Sequence, residues 1–191
     1  MKPLLTAIVF ALAATLASGA SAQDTSTAET SEFPIGTEPE IQVGQVYVVE
    51  KKGDWNVRCL KTEEGPEPCH IHQLLTDGDG NSVAELTFFH LPGGGPAVLG
   101  ATATTPLGTA LQSGVQISID GGKSKQYPFN WCEGIGCISR MGFTGLELEM
   151  LKKGTQATLT IASITNPAKP IILGVSLKGF SDGFAAVLVK P

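Results

Sequence analysis

Two histidines, His70 and His72, are the side chains best suited to metal chemistry in this sequence of 191 residues. They lie two positions apart in an alternating run, so on a strand both imidazoles would face one side and could hold zinc or copper. His90 would complete a trio if its strand were adjacent. We expect packed or solvent-facing histidines and no retained metal, because the neighbouring Cys69 is expected to form a disulfide and to supply no thiolate.

Three other motifs resemble binding or catalytic loops, and each lacks an essential part. The Asp77–Asn81 turn mimics half of a calcium loop, but Ser82 and Phe88 occupy the positions of the required glycine and bidentate glutamate. The glycine-rich loop 92–96 lacks the Lys-Ser/Thr ending of a phosphate loop. Ser176 misses the G-x-S-x-G pattern by one residue and lies in a strand-like run. We therefore expect no catalytic, cofactor or metal residues and a protein that is not an enzyme.

The four cysteines, Cys59, Cys69, Cys132 and Cys137, allow three pairings. We favour Cys59–Cys69 and Cys132–Cys137 because each pair closes a short local loop. We expect both disulfides to be structural and without redox activity. A redox-active Cys132–Cys137 pair remains the alternative, although its C-x4-C spacing differs from the C-x-x-C of redox dithiols.

The N-terminus predicts export, which would expose these cysteines to an oxidising compartment. Lys2 precedes an apolar run from Leu4 to Leu16, and Ala20-Ser21-Ala22 offers a cleavage site. We expect a signal peptide over residues 1–22 and an exported chain that begins at Gln23. The cleavage site has no cysteine, so a lipid anchor is not expected.

Composition limits the partners of the remaining chain. The formal net charge of the full sequence is −5, which argues against nucleic acid, because nucleic acid selects a basic face. Residues 23–40 contain five acids and no base, and we expect them to form a flexible acidic tail before a domain over residues 41–191. Beyond the signal segment no apolar run approaches 18 residues, so stable membrane insertion is not expected.

The domain alternates with period two in short runs that glycine, proline, asparagine and aspartate separate. Valine, isoleucine, threonine and phenylalanine enrich the runs, as a half-buried pleated surface prefers. Asp120-Gly121 is the strongest hairpin signal, and Asn166-Pro167 also predicts a turn. After two runs near Val46 and Trp55, the predicted strands are Cys69–Leu75, Val83–His90, Ala97–Thr104, Val115–Asp120, Gln126–Cys132, Cys137–Phe143, Thr155–Ser163 and Ile171–Lys178.

One segment departs from this pattern. Thr144 is a candidate N-cap, Gly154 a candidate stop, and the acids between them precede the lysines, which suits a helix dipole. We expect a short helix near residues 144–153. A strand remains the alternative, because Leu146, Leu148 and Met150 also alternate. Eight or nine short strands predict an antiparallel β-sandwich.

The two tryptophans have different expected environments. Trp55 is in phase with Val57 and Cys59, so we expect it in the core, packed against the Cys59 disulfide. Trp131 follows Tyr127 and Phe129 directly before Cys132. Burial is the simpler interpretation of this second segment, and an exposed aromatic anchor is the alternative. The candidate interaction surface is therefore Tyr127, Phe129 and Trp131.

Four segments carry a family resemblance through their order along the chain. They are Gly53-Asp54-Trp55-Asn56-Val57-Arg58-Cys59, Cys69-His70-Ile71-His72-Gln73, Cys132-Glu133-Gly134-Ile135-Gly136-Cys137 and Val175-Ser176-Leu177-Lys178-Gly179-Phe180-Ser181. With the export signal, these segments resemble the invasion associated locus B (IalB) family of exported bacterial proteins. The resemblance spans about residues 46–189.

This resemblance implies an all-β, immunoglobulin-like antiparallel β-sandwich in the periplasm or on the cell surface. It also implies, for pathogenic members, a link to host-cell entry, and it carries no known catalytic residues. We expect an exported non-catalytic binding protein whose partner is a protein or another ligand of the envelope or host surface. The alternatives are a periplasmic structural or chaperone-like protein and a weak metal-binding protein that uses His70 and His72.

Overall fold

A computed structural model describes residues 35–93 and 95–188 of the chain. The predicted signal peptide, residues 1–22, and residues 23–34 of the predicted tail lie outside these ranges. Residues 35–40 contain no helix or strand and are exposed. The chain divides into two units between Glu38 and Pro39, and every element named below belongs to the second unit.

Strands dominate the described residues, with two short helices and one 3-10 turn at Leu111–Ser113. The helices are α1 (Gly145–Lys153) and α2 (Phe180–Ala186). The strands are β1 (Val46–Lys52), β2 (Trp55–Leu60), β3 (Cys69–Thr76), β4 (Ser82–His90), β5 (Leu99–Thr105), β6 (Val115–Ile119), β7 (Lys125–Tyr127), β8 (Trp131–Glu133), β9 (Gly136–Phe143), β10 (Gln156–Ser163) and β11 (Asn166–Ser176).

The strands pair antiparallel in two sheets. The larger sheet has the order β1-β2-β3-β4-β5-β9-β8, and the smaller has the order β11-β10-β6-β7. The first five strands are therefore sequential neighbours, after which the chain enters the smaller sheet, returns for β8 and β9, and leaves again. The expected all-β sandwich with a short helix is confirmed.

The core lies between the sheets because alternate residues of each strand point inward. Trp55 is fully buried and meets the rings of Phe88 and Phe180 edge-on, with centroids 5.6 and 5.5 Å away. Cys59 lies four residues further along β2, about 13 Å at the usual strand rise. Aromatic packing therefore replaces the contact that we predicted between Trp55 and the disulfide.

Helix α1 confirms the helical interpretation of its segment. Thr144 is its N-cap and forms a capping box with Glu147, and Gly154 follows its last residue. Helix α2 was not predicted, because Gly183 in its middle lowers the intrinsic helix propensity of a short segment. The same glycine lets the helix approach β3, since a Cβ there would lie 3.1 Å from Ile71 Cγ2. Neither helix in the described ranges combines the length and the apolar character that crossing a membrane requires.

Two predicted boundaries were wrong. The run Gln126–Cys132 is two strands in different sheets, since β7 pairs with β6 and β8 pairs with β9. Pro128 lies between them, and proline has no N–H to continue a ladder. The predicted turn at Asn166-Pro167 is the start of β11, and the chain turns two residues earlier, at residues 164–165.

Candidate functional site

The calcium-like turn uses its acidic side chain to close the turn itself. Asp77 Oδ1 accepts hydrogen bonds from the backbone N–H groups of Asp79 and Asn81, at 3.0 and 2.9 Å. The Asn81 side chain and these N–H groups hold the pKa of Asp77 below its usual value. The carboxylate therefore already has partners within the β3–β4 connection, as in an ordinary Asx turn.

Ser176 lies at a junction between the two sheets. Its carbonyl oxygen accepts hydrogen bonds from Trp55 Nε1 at 2.9 Å and from Gln73 Nε2 at 3.1 Å. Its N–H donates to Gln73 Oε1 at 2.9 Å, and its hydroxyl donates to Asp54 Oδ2 at 2.6 Å. A buried amide that both donates and accepts in this way ties β3 of the larger sheet to β11 of the smaller sheet.

The turn between β1 and β2 packs against the chain that follows β11. The Asp54 N–H donates to the Lys178 carbonyl oxygen at 3.0 Å. Gly179 has a φ of +83°, and a Cβ at this position would overlap the backbone carbonyl of Lys52. Only glycine meets both requirements, the left-handed backbone and the close approach.

We call this junction the clasp and define it as Asp54, Trp55, Gln73, Ser176 and Gly179. Three of the four segments that carry the sequence resemblance meet here, although more than 100 residues separate the first from the last. Each polar group named above has a partner, and the central tryptophan is buried. The clasp therefore holds the two sheets together. In the part of the chain that the structure describes, the Ser176 hydroxyl donates to the Asp54 carboxylate and has no histidine among its hydrogen-bond partners.

The histidines do not form a trio. His70 and His72 share the outer face of the larger sheet, as predicted, whereas His90 is in phase with the buried Phe88 and stacks its ring on Phe184 at 5.9 Å. No group of three His, Cys, Asp or Glu side chains in the described residues is arranged to hold a metal ion. The structure instead pairs His72 Nε2 with Glu85 Oε2 at 3.0 Å, a partner that the sequence analysis missed.

The environment of these two imidazoles favours their neutral forms. Burial lowers the pKa of His72, the Arg58 guanidinium lowers it further, and Glu85 opposes both effects. Burial also lowers the pKa of His70, as do His72 and Arg58. A neutral His72 that donates Nε2–H to Glu85 leaves Nδ1 as an acceptor, and this buried atom has no hydrogen-bond partner among residues 35–93 and 95–188.

Both disulfides join directly opposite residues of neighbouring strands. Cys59 is bonded to Cys69 between β2 and β3, and Cys132 is bonded to Cys137 between β8 and β9. These are the two pairings that local closure favoured. The first bridge lies between interior strands, whereas the second closes the hairpin at the edge of the larger sheet, where Cys132 is exposed.

That edge hairpin carries the most prominent apolar side chains near the predicted interaction segment. Trp131 is 46% exposed, and Ile135 at the turn is 76% exposed. Ile135 and Leu74 line a shared depression of about 250 Å³. Leu74 on β3 and Trp131 on β8 lie at the two opposite ends of one row of paired residues on the outer face of the sheet. We call Trp131, Ile135 and Leu74 the hairpin surface. Sequence reasoning missed Leu74 and did not single out Ile135, because their exposure depends on which strands lie beside them.

The other two residues of the predicted surface lie apart from Trp131. Tyr127 belongs to the smaller sheet, and its ring lies 5.8 Å from that of Phe143. Phe129 is partly buried against the core. The structure therefore places Trp131 alone among the three as a strongly exposed aromatic side chain.

Known proteins resemble this chain in sequence and in fold. The sequence profile of the family described as "Invasion associated locus B (IalB) protein" matches residues 55–188. Among solved structures, the crystal structure of invasion associated protein b from Bartonella henselae is similar, with a TM-score of 0.61 and 25% sequence identity. The similarity covers 73% of this chain and 93% of that one. A comparison with curated proteins finds no match.

Proposed function

This chain belongs to the invasion associated locus B family, and from that premise we propose that it is an exported, non-catalytic binding protein of the bacterial envelope. The similar protein from Bartonella henselae is an invasion associated protein. The partner that we propose is accordingly a protein of the envelope or of a host surface. The predicted signal peptide and the two disulfides support export, because disulfides persist in oxidising compartments.

The hairpin surface is the observation that carries the binding proposal. Protein interfaces are enriched in tryptophan, and a few buried aromatic anchors supply most of their binding energy. Trp131 and Ile135 expose apolar area on a hairpin only a few residues long. A partner that covers them would remove this area from water without unfolding any part of the chain.

The hairpin is also held in place before a partner arrives. The Cys132–Cys137 bridge closes it, and the Thr105 hydroxyl donates to the Cys137 carbonyl oxygen at 3.3 Å. Gly136 lies so close to β5 that a Cβ would overlap the Thr105 carbonyl. A rigid anchor loses less conformational entropy on binding than a mobile loop, which favours affinity.

Site-specific photo-crosslinking in native cells tests this proposal. A photoreactive amino acid would replace Trp131 or Ile135 in separate samples, with Ile164 as the matched control, since Ile164 is also exposed but lies in the β10–β11 turn. We expect one discrete product from the two hairpin positions and none from the control. Equal products at all three positions, or none at the hairpin, would contradict the proposal.

Protease treatment of intact cells then distinguishes a partner on a host surface from a partner within the envelope. Digestion of the protein on intact cells would support display outside the cell and a host-surface partner. Protection until the outer membrane is opened would support a partner within the envelope.

One observation favours a second candidate function, the capture of unfolded envelope proteins by strand addition. Strand β1 is an edge strand, and Val46, Val48 and Val49 are each about half exposed. A bulge between Val48 and Glu50 interrupts its ladder, which is a feature that opposes edge pairing. A crosslinker at Val48 that yields many products, with no discrete product at Trp131, would favour this second function over the first.

A further inference from the structure

The hairpin surface lies at one end of the larger sheet, where three segments of the chain meet. Residues 74–85 join β3 to β4, residues 104–107 end β5, and residues 131–137 form the edge hairpin. All three segments contribute to the lining of one depression. The three apolar side chains of the hairpin surface are between 46% and 76% exposed. A partner at this end of the sheet would therefore contact all three segments together.

The charged residues of these three segments all have the same sign. The segments contain four acids and no lysine or arginine, and the acids are Asp77, Asp79, Glu85 and Glu133. Asp79 and Glu133 are exposed, and half of the Glu85 side chain is exposed. Asp77 keeps its charge within its turn, because its pKa is held below the usual value by the Asn81 side chain and by backbone N–H groups. This end of the sheet is therefore negatively charged.

Two of the acids lie directly beside the apolar side chains. Glu85 is opposite Leu74 on the neighbouring strand. Its partner His72 is held in the neutral form by burial, which lowers the pKa of the imidazole, so this contact does not neutralise the carboxylate. Glu133 Oε1 accepts the indole N–H of Trp131 at 3.4 Å. Both ends of the hairpin surface thus carry a carboxylate at their border.

The nearest base along the chain lies away from this end of the sheet. Arg140 follows Ile138 by two positions on β9, in the direction that leads away from the hairpin turn. Among the described residues that line the depression, Glu85 is the sole charged side chain. The hairpin surface is therefore an apolar area with an acidic border.

This border selects among partners. An acidic protein or an anionic lipid surface would bring like charges together, which opposes association. A purely apolar partner would take water away from the two glutamates without supplying a counter-charge, which is costly. Lysine and arginine supply the counter-charge and donate charge-assisted hydrogen bonds, and their aliphatic stems can cover apolar surface.

We propose that the partner of the hairpin surface is a protein with a basic patch, in which an apolar area receives Trp131 and Ile135 and bordering lysines or arginines pair with Glu85 and Glu133. This inference rests on the proposed function and names the kind of partner for the same site. The complementary charge would also accelerate association, because an acidic surface attracts a basic one before contact.

Ionic quenching of fluorescence tests the acidic border without any partner. The chain has two tryptophans and Trp55 is fully buried, so quenching of the purified protein reports on Trp131. We expect the ratio of caesium to iodide quenching constants to be about twofold higher than for N-acetyltryptophanamide. The ratio should approach this reference in a Glu85→Gln/Glu133→Gln variant, whose glutamines still offer an oxygen to the same donors. A ratio equal to the reference in the unsubstituted protein would overturn the proposal.

Photo-crosslinking from Ile135 in native cells tests the partner itself. Mass spectrometry of the product identifies the crosslinked segment of the partner, and we expect that segment to contain more lysine and arginine than acid. The yield should fall about threefold in the Glu85→Gln/Glu133→Gln variant. A Glu63→Gln/Glu64→Gln variant is the matched control, because it removes the same charge from the exposed β2–β3 loop and should leave the yield unchanged.

The outcomes separate this inference from the proposed function. A discrete product with an undiminished yield in the hairpin charge variant, or with an acidic partner segment, would overturn the basic partner and leave the binding proposal intact. A crosslink to a second copy of this chain would identify a contact between copies and would also overturn it. The absence of any product at Ile135 would contradict the binding proposal and this inference together.

Discussion

The two tryptophans of this chain mark two regions with opposite properties. Trp55 in the clasp is fully buried, contacts two phenylalanine rings and donates its N–H to Ser176. Trp131 on the hairpin surface is nearly half exposed, and within the described ranges no aromatic ring packs against it. Its indole N–H donates to Glu133 Oε1, two residues away, at 3.4 Å.

The difference distinguishes residues that hold the two sheets together from residues that a partner could contact. Segments 53–59, 69–73 and 175–181, which carry most of the family resemblance, build the clasp and satisfy one another. The fourth segment, 132–137, forms the hairpin, and within the described residues its exposed side chains make no comparable contacts. We therefore look for partner specificity at the hairpin surface.

Replacement of each tryptophan with alanine should give the largest difference in stability between the two regions. We expect Trp55→Ala to lower the free energy of unfolding by about 3–5 kcal/mol, because it leaves a cavity and removes a buried hydrogen bond. Trp131→Ala should lower it by about 0.5 kcal/mol, since its ring is largely in contact with water. Urea denaturation followed by circular dichroism measures both. Comparable losses would show that Trp131 is also structural.

A comparison of two glycines with the same backbone conformation tests how much the close packing at Gly179 contributes to stability. Gly179 and Gly80 have φ values of +83° and +84°, but only Gly179 has backbone atoms where a Cβ would lie. Gly80→Ala should cost about 1 kcal/mol from left-handed strain alone. We expect Gly179→Ala to cost about 3 kcal/mol, because Lys52 must also move. Equal melting temperatures of the two variants would contradict the close approach within the clasp.

Replacement of Gln73 tests the polar contacts of the clasp at similar side-chain size. Gln73→Leu leaves the N–H of Ser176 without its acceptor, so we expect a loss of about 2 kcal/mol in the free energy of unfolding. Gln126→Leu is the control, because Gln126 is exposed and its side-chain amide donates to the Ser113 carbonyl oxygen without joining the two sheets. Its effect should be within about 0.5 kcal/mol. Denaturant titration of both variants decides whether Gln73 joins the sheets.

Acidification should destabilise the outer face of the larger sheet and leave the clasp hydrogen bonds intact. The pKa values of His70 and His72 lie below the usual value of about 6.5, so the unfolded chain takes up protons first as the pH falls. Their contribution to stability is therefore complete above pH 6.5 and is lost progressively as the pH falls below that value. Arg58 and Glu85 are the charged groups that face His72.

Thermal unfolding between pH 7 and pH 5 measures this effect. We expect the melting temperature to fall across that interval, and to fall less steeply in a His72→Gln variant. The interval lies above the range in which the paired carboxylates Glu67, Glu147 and Asp77 lose their stabilising charge, because their pKa values are lowered. A melting temperature that rises on acidification, or an unchanged slope in the variant, would show that the imidazoles are not buried in neutral form.

Local patterns predicted much of the fold correctly. The period-two runs, the Asp120-Gly121 hairpin, the capped helix α1 and the short-range disulfide pairs all depend on residues close together in sequence. The incorrect predictions concern segments whose structure depends on contacts between residues that are far apart in the sequence. Helix α2 forms because Phe180 and Phe184 are buried against the larger sheet, which outweighs the weak propensity of its sequence.

The sequence by itself determined most of the strands, the Asp120-Gly121 turn, the caps of α1 and the favoured cysteine pairs, because backbone sterics, side-chain alternation and short-loop closure act over a few residues. Only the tertiary structure decided that Gln73 and Ser176 would meet, that Tyr127 and Trp131 would enter different sheets, and that Leu74, Ile135 and Leu146 would remain exposed to water. These outcomes depend on which strands become neighbours. Burial and hydrogen bonding between neighbours are properties of the packed molecule, and residues far apart in the sequence create them jointly.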